Sequence, residues 1–322
     1  MGILSKIRRH AAIAKGHFVS MFKDVDIPPL PAAVTWLISE LNQEEPDVDR
    51  LVKLISSETG LASKLIKTAN SPLFRLRKPA TNVRHVVTLL GFRQVKSIVL
   101  AYATMEAVPI PKGDLFDHQA FWTDSLLKAI IARSLSKKRF MNYMDDVFTA
   151  TILADVAIPV LLTAWGEYYA PIIEEWKNSP RRPSEIEREQ FGWDHGQAGA
   201  WIVNYWGFPE EMICYIGAHN LSWERIVDAE LQNTLALPIS IGCLCASVLK
   251  PDVERIWRML AEAHDRLYLE TPEVQQGIQD AKETFHEILS LFGLSHAKAE
   301  YLMDQIENLV EVEKDGEQRR AL

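Results

Sequence analysis

The most concentrated chemical signal in the sequence is a block of positive charge. Between Thr59 and Met105 there is no aspartate or glutamate, yet Lys64, Lys67, Arg75, Arg77, Lys78, Arg84, Arg93 and Lys96 all fall there. The block is +8 in a chain of net charge −8, so the remainder carries −16. A basic face on an acidic protein attracts an acidic partner or a small anion. The competing expectation is a solvated face neutralised by carboxylates from elsewhere in the fold. Arg75, Arg77 and Lys78 are best placed to reach outward, because Pro72 puts them in a loop. Trp193, Trp201 and Trp206 have the chemistry to stack a nucleobase, although their near-helical spacing suits a packed core better. The acidic net charge argues against nucleic acid as a partner. Cys214, Cys243 and Cys245 are odd in number and lack a C-x-x-C, which points to buried thiols in a reducing compartment rather than to disulfides or zinc. Neither G-x-S-x-G, nor a P-loop, nor G-x-G-x-x-G after a strand is present.

The elements that must position these residues read as helices throughout. Apolar residues make up 48% of the 322 and charged residues 24%, a globular balance that excludes wholesale disorder. Val34, Leu37, Ile38 and Leu41 follow the i, i+3, i+4, i+7 pattern of an amphipathic helix, as do Val48, Leu51, Val52 and Ile55. Asp194 is placed to cap a helix running to Trp206, with Gly207 and Pro209 closing it, and Ser184 to Glu187 has the spacing of a capping box. Nothing alternates with period two over a strand's length. An all-α chain of twelve to fifteen helices is expected.

Pro109 to Gly113 interrupts the pattern and suggests a boundary. The expected organisation is a basic amphipathic helix over 1–22, an N-terminal helical lobe over 23–108, a second helical lobe over 114–312 and a charged, fraying tail over 313–322. No stretch reads as a membrane span or a signal peptide, so a cytoplasmic location is expected.

Ordered motifs then resemble a known family. Ile27-Pro28-Pro29-Leu30-Pro31 is followed by Ile55-Ser56-Ser57-Glu58-Thr59-Gly60-Leu61, by Asn70-Ser71-Pro72-Leu73-Phe74, and by Leu89-Leu90-Gly91-Phe92-Arg93. Phe191-Gly192-Trp193-Asp194-His195 and Trp206-Gly207-Phe208-Pro209-Glu210 come later. The run is similar to the HDOD domain, an output module of bacterial signalling related to the HD phosphohydrolases, over roughly 23–220. The resemblance implies an N-terminal helical lobe followed by an HD-like lobe. Locally, Asn70 and Gly91 have the residue types that turns demand: a side chain that bonds backbone and a backbone free to take positive φ.

HD phosphohydrolases hold a divalent metal with histidines and an adjacent His-Asp pair, so that metal-bound water attacks a phosphate. By this resemblance the pair falls at Ala154-Asp155, where a methyl group stands in place of the histidine. The upstream histidine position falls at Asp124, and the late aspartate position near Cys243. Asp155, His195 and His219 remain, a set that resembles two histidines and one carboxylate but has no tight spacing. A vestigial site is therefore expected, with no bound metal, no cofactor and no catalytic residue, its carboxylates bonded to a nearby histidine or backbone group. The resemblance implies a non-catalytic adaptor or sensor, a pseudoenzyme tied to cyclic-dinucleotide signalling, that binds a signalling protein or a small anionic ligand. The rival expectation is a metal-dependent phosphohydrolase or binder of a nucleotide or cyclic dinucleotide.

Overall fold

The computed structural model describes residues 27, 29–30, 32–41, 43, 47–71, 74, 76–294 and 297–321. The expected 1–22 helix, Pro28, Pro31, Pro72, Leu73 and Arg75 lie outside the described residues, as do the side chains of 313–322. Among the described residues the fold is all-α, without strands.

The first lobe comprises α1 (Ala32–Leu41), α2 (Val48–Ser57), α3 (Thr59–Ala69), α4 (Val83–Leu90) and α5 (Phe92–Ala107). The second runs through α6 (His118–Leu135), α7 (Lys137–Phe140), α8 (Met144–Leu153), α9 (Ala157–Ala164), α10 (Gly166–Asn178), α11 (Pro183–Phe191), α12 (His195–Tyr205), α13 (Glu210–Ala218), α14 (Trp223–Asp228), α15 (Ala236–Gly242), α16 (Val253–Leu267), α17 (Thr271–Leu291) and α18 (Ala297–Ala321). The helices outnumber the expected twelve to fifteen because several, such as α7 and α14, are only one or two turns long. The last helix continues to Ala321, where a fraying tail was expected.

Local chemistry sets the ends of these elements. Asp117 caps α6 by accepting from Ala120 N, and Asp194 caps α12 by accepting from Gly196 N and Gln197 N. Asn70 accepts from Ala80 N (2.7 Å) and donates to Ala80 O (2.9 Å), clamping the loop between α3 and α4. Gly91 joins α4 to α5 at φ 82°, ψ 168°, an extended positive-φ conformation open almost only to glycine. The capping box at α11 differs from the one expected. The helix starts at Pro183, Glu185 closes the box on Arg182 N (3.0 Å), and Ser184 and Glu187 are left for other contacts.

The boundary near 109–113 separates helices but not cores. One continuous apolar cluster extends from Ile27 to Val310. Tyr102 of α5 stacks on Phe292 just beyond α17, with ring centroids 4.1 Å apart, and Thr68 of α3 bonds the Tyr102 hydroxyl (2.8 Å). Helix α6 lies at the centre of the second lobe, packed by α8, α15 and α17. It is buried on nearly all sides, so a polar residue on it calls for explanation. Gly242 ends α15 where a Cβ would stand 2.5 Å from Ala132 Cβ and 3.0 Å from Lys128 O. Only a glycine allows that approach, and it sets Cys243 beside α6. The segment 137–164 passes the length and composition of a membrane span, contrary to expectation. It is broken into α7, a 3-10 turn, α8 and α9, and 78% of its apolar window is buried in the fold, so it serves as core.

Candidate functional site

Asp124 and Lys128 lie one turn apart on α6 and face the end of α8, where Ala154 and Asp155 sit. Asp155 is the hub. Its Oδ2 accepts from Lys128 Nζ at 2.7 Å, and its Oδ1 lies 3.1 Å from His195 Nε2 and 3.3 Å from His219 Nε2. The Lys128 and Asp155 side chains are only 13% and 11% exposed, so this ion pair is shielded from water. Ala154 is fully buried and offers only its methyl group.

His195 opens α12 and is pinned from behind. Glu187 of α11 accepts from its backbone N and pairs with its Nδ1, both at 2.7 Å, and also accepts from the Tyr169 hydroxyl. Burial disfavours a charged imidazole, but the Glu187 and Asp155 carboxylates override it and push the His195 pKa up to about 10. His195 is thus an imidazolium between two carboxylates. His219, at the end of α13, donates from Nδ1 to Ile216 O (2.7 Å), and its Nε2 faces Asp155 and Asn220. The Asn220 side-chain amide lies 2.8 Å from His219 Nε2 and 2.9 Å from His195 Nε2. Gly196 makes room for this pairing, since a Cβ there would stand 3.0 Å from the His219 ring.

Burial would strip the charge from Lys128, yet the Asp155 and Asp124 carboxylates raise its pKa above the usual lysine value. Burial works against the Asp155 carboxylate as well, and Lys128 with hydrogen bonds from His195 and His219 reverses this, holding it well below the usual carboxylate range. Asp124 is bonded differently: its Oδ1 accepts from Val248 N (2.7 Å), Ser247 adds a side-chain bond, and burial still pushes its pKa up to about 6. Burial also pushes the Cys243 thiol well up, so it is neutral and a poor ligand.

These side chains form the floor of a cavity of about 840 Å³, counting the space that opens to solvent. The structure brings Asp124, Asp155, His195 and Cys243 into its lining, with Ala154 and His219 directly behind. The sequence reading missed Lys128, Glu187 and Asn220. The available signals were slight: Lys128 is four residues from Asp124, and Asn220 follows His219.

The ligand atoms of Asp155, His195 and His219 lie within 4.8 Å of one another, the reach of a single ion. Around them the Asn220 amide faces His219 Nε2 and the Lys128 ammonium occupies the other Asp155 oxygen. Ala154 offers a methyl group and Cys243 a buried thiol.

Several cations of the basic block meet carboxylates in the fold. Lys64 pairs with Glu106, Arg84 with Asp49 (2.7 Å) and Arg93 with Asp146 (3.7 Å), all acids from outside the block. Lys96 is largely buried; burial lowers its pKa and Asp146 opposes the shift. Lys67, Arg77 and Lys78 remain exposed. Trp193 and Trp206 are buried, and Trp193 stacks on Phe191 with centroids 5.1 Å apart, as a packed core requires.

Comparison with known proteins agrees with this architecture. The HDOD domain family matches residues 27–221. An uncharacterised protein of Treponema pallidum is 20% identical over 196 residues, 61% of this chain and 38% of its own length. The uncharacterised YuxH of Bacillus subtilis is 26% identical over 114 residues, 34% of this chain and 27% of its own. The matches therefore span well under half of these curated relatives. Among solved structures, a presumed phosphohydrolase from Shewanella amazonensis (TM-score 0.58, 21% identity) covers 94% of this chain and 97% of its own. An HDOD domain protein of unknown function from Geobacter sulfurreducens (0.59, 16%) covers 95% and 96%. A presumed signal transduction protein from Marinobacter aquaeolei (0.62, 19%) covers 93% and 66%. At these identities the structures speak for the fold alone. Motifs, helical architecture and family match over 27–221 converge: this chain belongs to the HDOD domain family.

Proposed function

We propose that this HDOD protein is a non-catalytic signalling adaptor or sensor, acting in the cytoplasm by binding a protein partner or a small anion. The observation that carries this reading is the Lys128 ammonium, 2.7 Å from Asp155, with Asp124 near enough to raise its pKa and Cys243 beside it in the cavity lining. Those are the positions where the resemblance would place metal ligands. A metal ion lowers the pKa of its water and polarises a phosphate. An ammonium offers neither an open coordination position nor a bound hydroxide. The charge is supplied and the nucleophile is not.

A second reading, a metal-dependent phosphohydrolase, is favoured by the close approach of Asp155, His195 and His219 donor atoms. Metal analysis of protein purified without chelator separates the two, combined with phosphate release from nucleotides and cyclic dinucleotides under added Mn²⁺. The adaptor reading expects substoichiometric metal and no metal-stimulated turnover. Stoichiometric Fe, Mn or Zn, with turnover lost in Asp155→Ala, would overturn it.

A further inference from the structure

The cavity beside Lys128 has a second polar cluster that the ion network does not use. Ser184, at the second position of α11, lines the cavity and is 1% exposed, and its Oγ has no hydrogen-bond partner. The N-cap place expected for it is held by Arg182. Arg255 of α16 lines the same cavity; one terminal nitrogen donates to Cys245 O (3.2 Å), while its buried Nε is unpartnered. Arg182, immediately before α11, completes the group. Its Nε reaches Glu185 (3.3 Å), but burial and the nearby Arg255 and Arg258 still lower its pKa. Among the described residues no carboxylate pairs with Arg255 or with Lys177 at the rim. Two arginines, an orphan hydroxyl and the first turn of α11 thus face one space, an arrangement that gains by accepting an oxyanion.

Much of the remaining lining is apolar. Phe116, Phe121, Ile158, Ile173 and Trp176 supply it. Trp176 is held in place because Lys250 donates to Trp176 O (2.8 Å) and to Ser179 O. Apolar walls with a few placed polar groups are the make-up of small-molecule sites.

We infer that this cavity binds a small organic anion, its phosphate or carboxylate held by Arg182, Arg255 and Ser184 and its planar apolar body lying against Trp176, Phe116 and Phe121. The inference rests on the reading of the site as a binding rather than a hydrolytic one. It assigns the anion to the Arg182, Arg255 and Ser184 cluster of this cavity and not to the 59–105 block.

Calorimetric titration of the full chain with phenyl phosphate, benzoate, inorganic phosphate and phenol tests it. Phenyl phosphate or benzoate should bind more tightly than inorganic phosphate and phenol, and whichever of the two binds tighter identifies the oxyanion. Arg255→Met should weaken that binding about tenfold or more, as expected for loss of a charge-assisted bond. Ser184→Ala should weaken it severalfold without lowering the melting temperature, because the hydroxyl it removes has no partner in the fold. No binding of either aromatic anion at millimolar concentration would overturn the inference. So would binding unchanged in both variants. Release of phosphate from bound phenyl phosphate would instead overturn the non-catalytic reading, leaving the anion site in place.

Discussion

Replacing Lys128 by methionine tests the chemistry of the site most directly, because the change keeps the chain length and removes only the charge. Its partner cannot retreat to water: Asp155 is 11% exposed and sits under α6 and α12. At an effective dielectric constant of about 20, charges 2.7 Å apart attract by roughly 6 kcal/mol. Relief of the ammonium's own desolvation offsets part of this. Breaking a buried pair by removing one partner typically costs about 3–5 kcal/mol, and that is the loss expected in urea unfolding at neutral pH. Asp155→Leu in the Lys128→Met background should recover much of it, since both charges are then gone. The coupling in the double-mutant cycle should exceed about 2 kcal/mol.

The pH dependence supplies the sign. In the wild type, Asp155 titrates well below its ordinary value of 3.8, so its stabilisation is present above that value and fades as the pH falls through the lower folded one. Without Lys128, burial prevails and the Asp155 pKa rises. The gap between variant and wild type should therefore narrow on acidification, as the variant's carboxyl takes up a proton. A Lys128→Met loss below about 1 kcal/mol, or strictly additive effects, would refute the pairing as the organising contact of the site.

Other expectations follow from single contacts. Asn70→Ala removes both bonds to Ala80 and should cost about 2 kcal/mol in urea unfolding, at roughly 1 kcal/mol per bond; an unchanged midpoint would discard the clamp. Gly242→Ala drives a methyl group against Ala132 at 2.5 Å and should cost about 1–3 kcal/mol, with altered side-chain NMR signals around Lys128 and Cys243. His195 has its pKa raised from 6.5 to about 10 by Glu187 and Asp155, against burial, with Lys128, His219 and Tyr169 the other titratable groups around it. Its stabilisation is complete below 6.5 and lost as the pH climbs through about 10, so wild-type unfolding midpoints should fall over that window and those of His195→Gln should fall less.

Much of the fold was legible because helical signals are local. Asp194 caps the helix where a short polar side chain precedes small and apolar residues, and Gly91 turns where no other residue fits easily. The site was legible only in part, because its logic is not local. Ser184 to Glu187 has ideal capping spacing, yet Glu187 is spent on His195 and Tyr169, partners that packing brings from α12 and α10. The +8 block counts charges without their neighbours. Its neutralising acids, Asp49, Glu106 and Asp146, lie outside the window that defined it, and only the folded chain brings them back. Lys128 looked like one lysine among many, since nothing in a linear sequence says that it points at a carboxylate 27 residues away.

The site's charges explain why such a lysine belongs there. Asp155 and Glu187 are buried carboxylates, and without compensation each would cost several kcal/mol or take up a proton. In a metallohydrolase a divalent ion supplies that compensation. Here an ammonium on Lys128 and an imidazolium on His195 supply two positive charges at the same carboxylates, each fixed by a bond of 2.7 Å. Electrostatically the exchange is even, so the fold keeps the shape of the pocket and the buried acids that shape it. Chemically it is not even, because neither cation has an empty coordination position to hold water against a phosphate. On the non-catalytic reading proposed above, the Ala154 methyl group, the buried Cys243 thiol and the Lys128 ammonium act together, as a rigid floor for binding rather than a position for reaction.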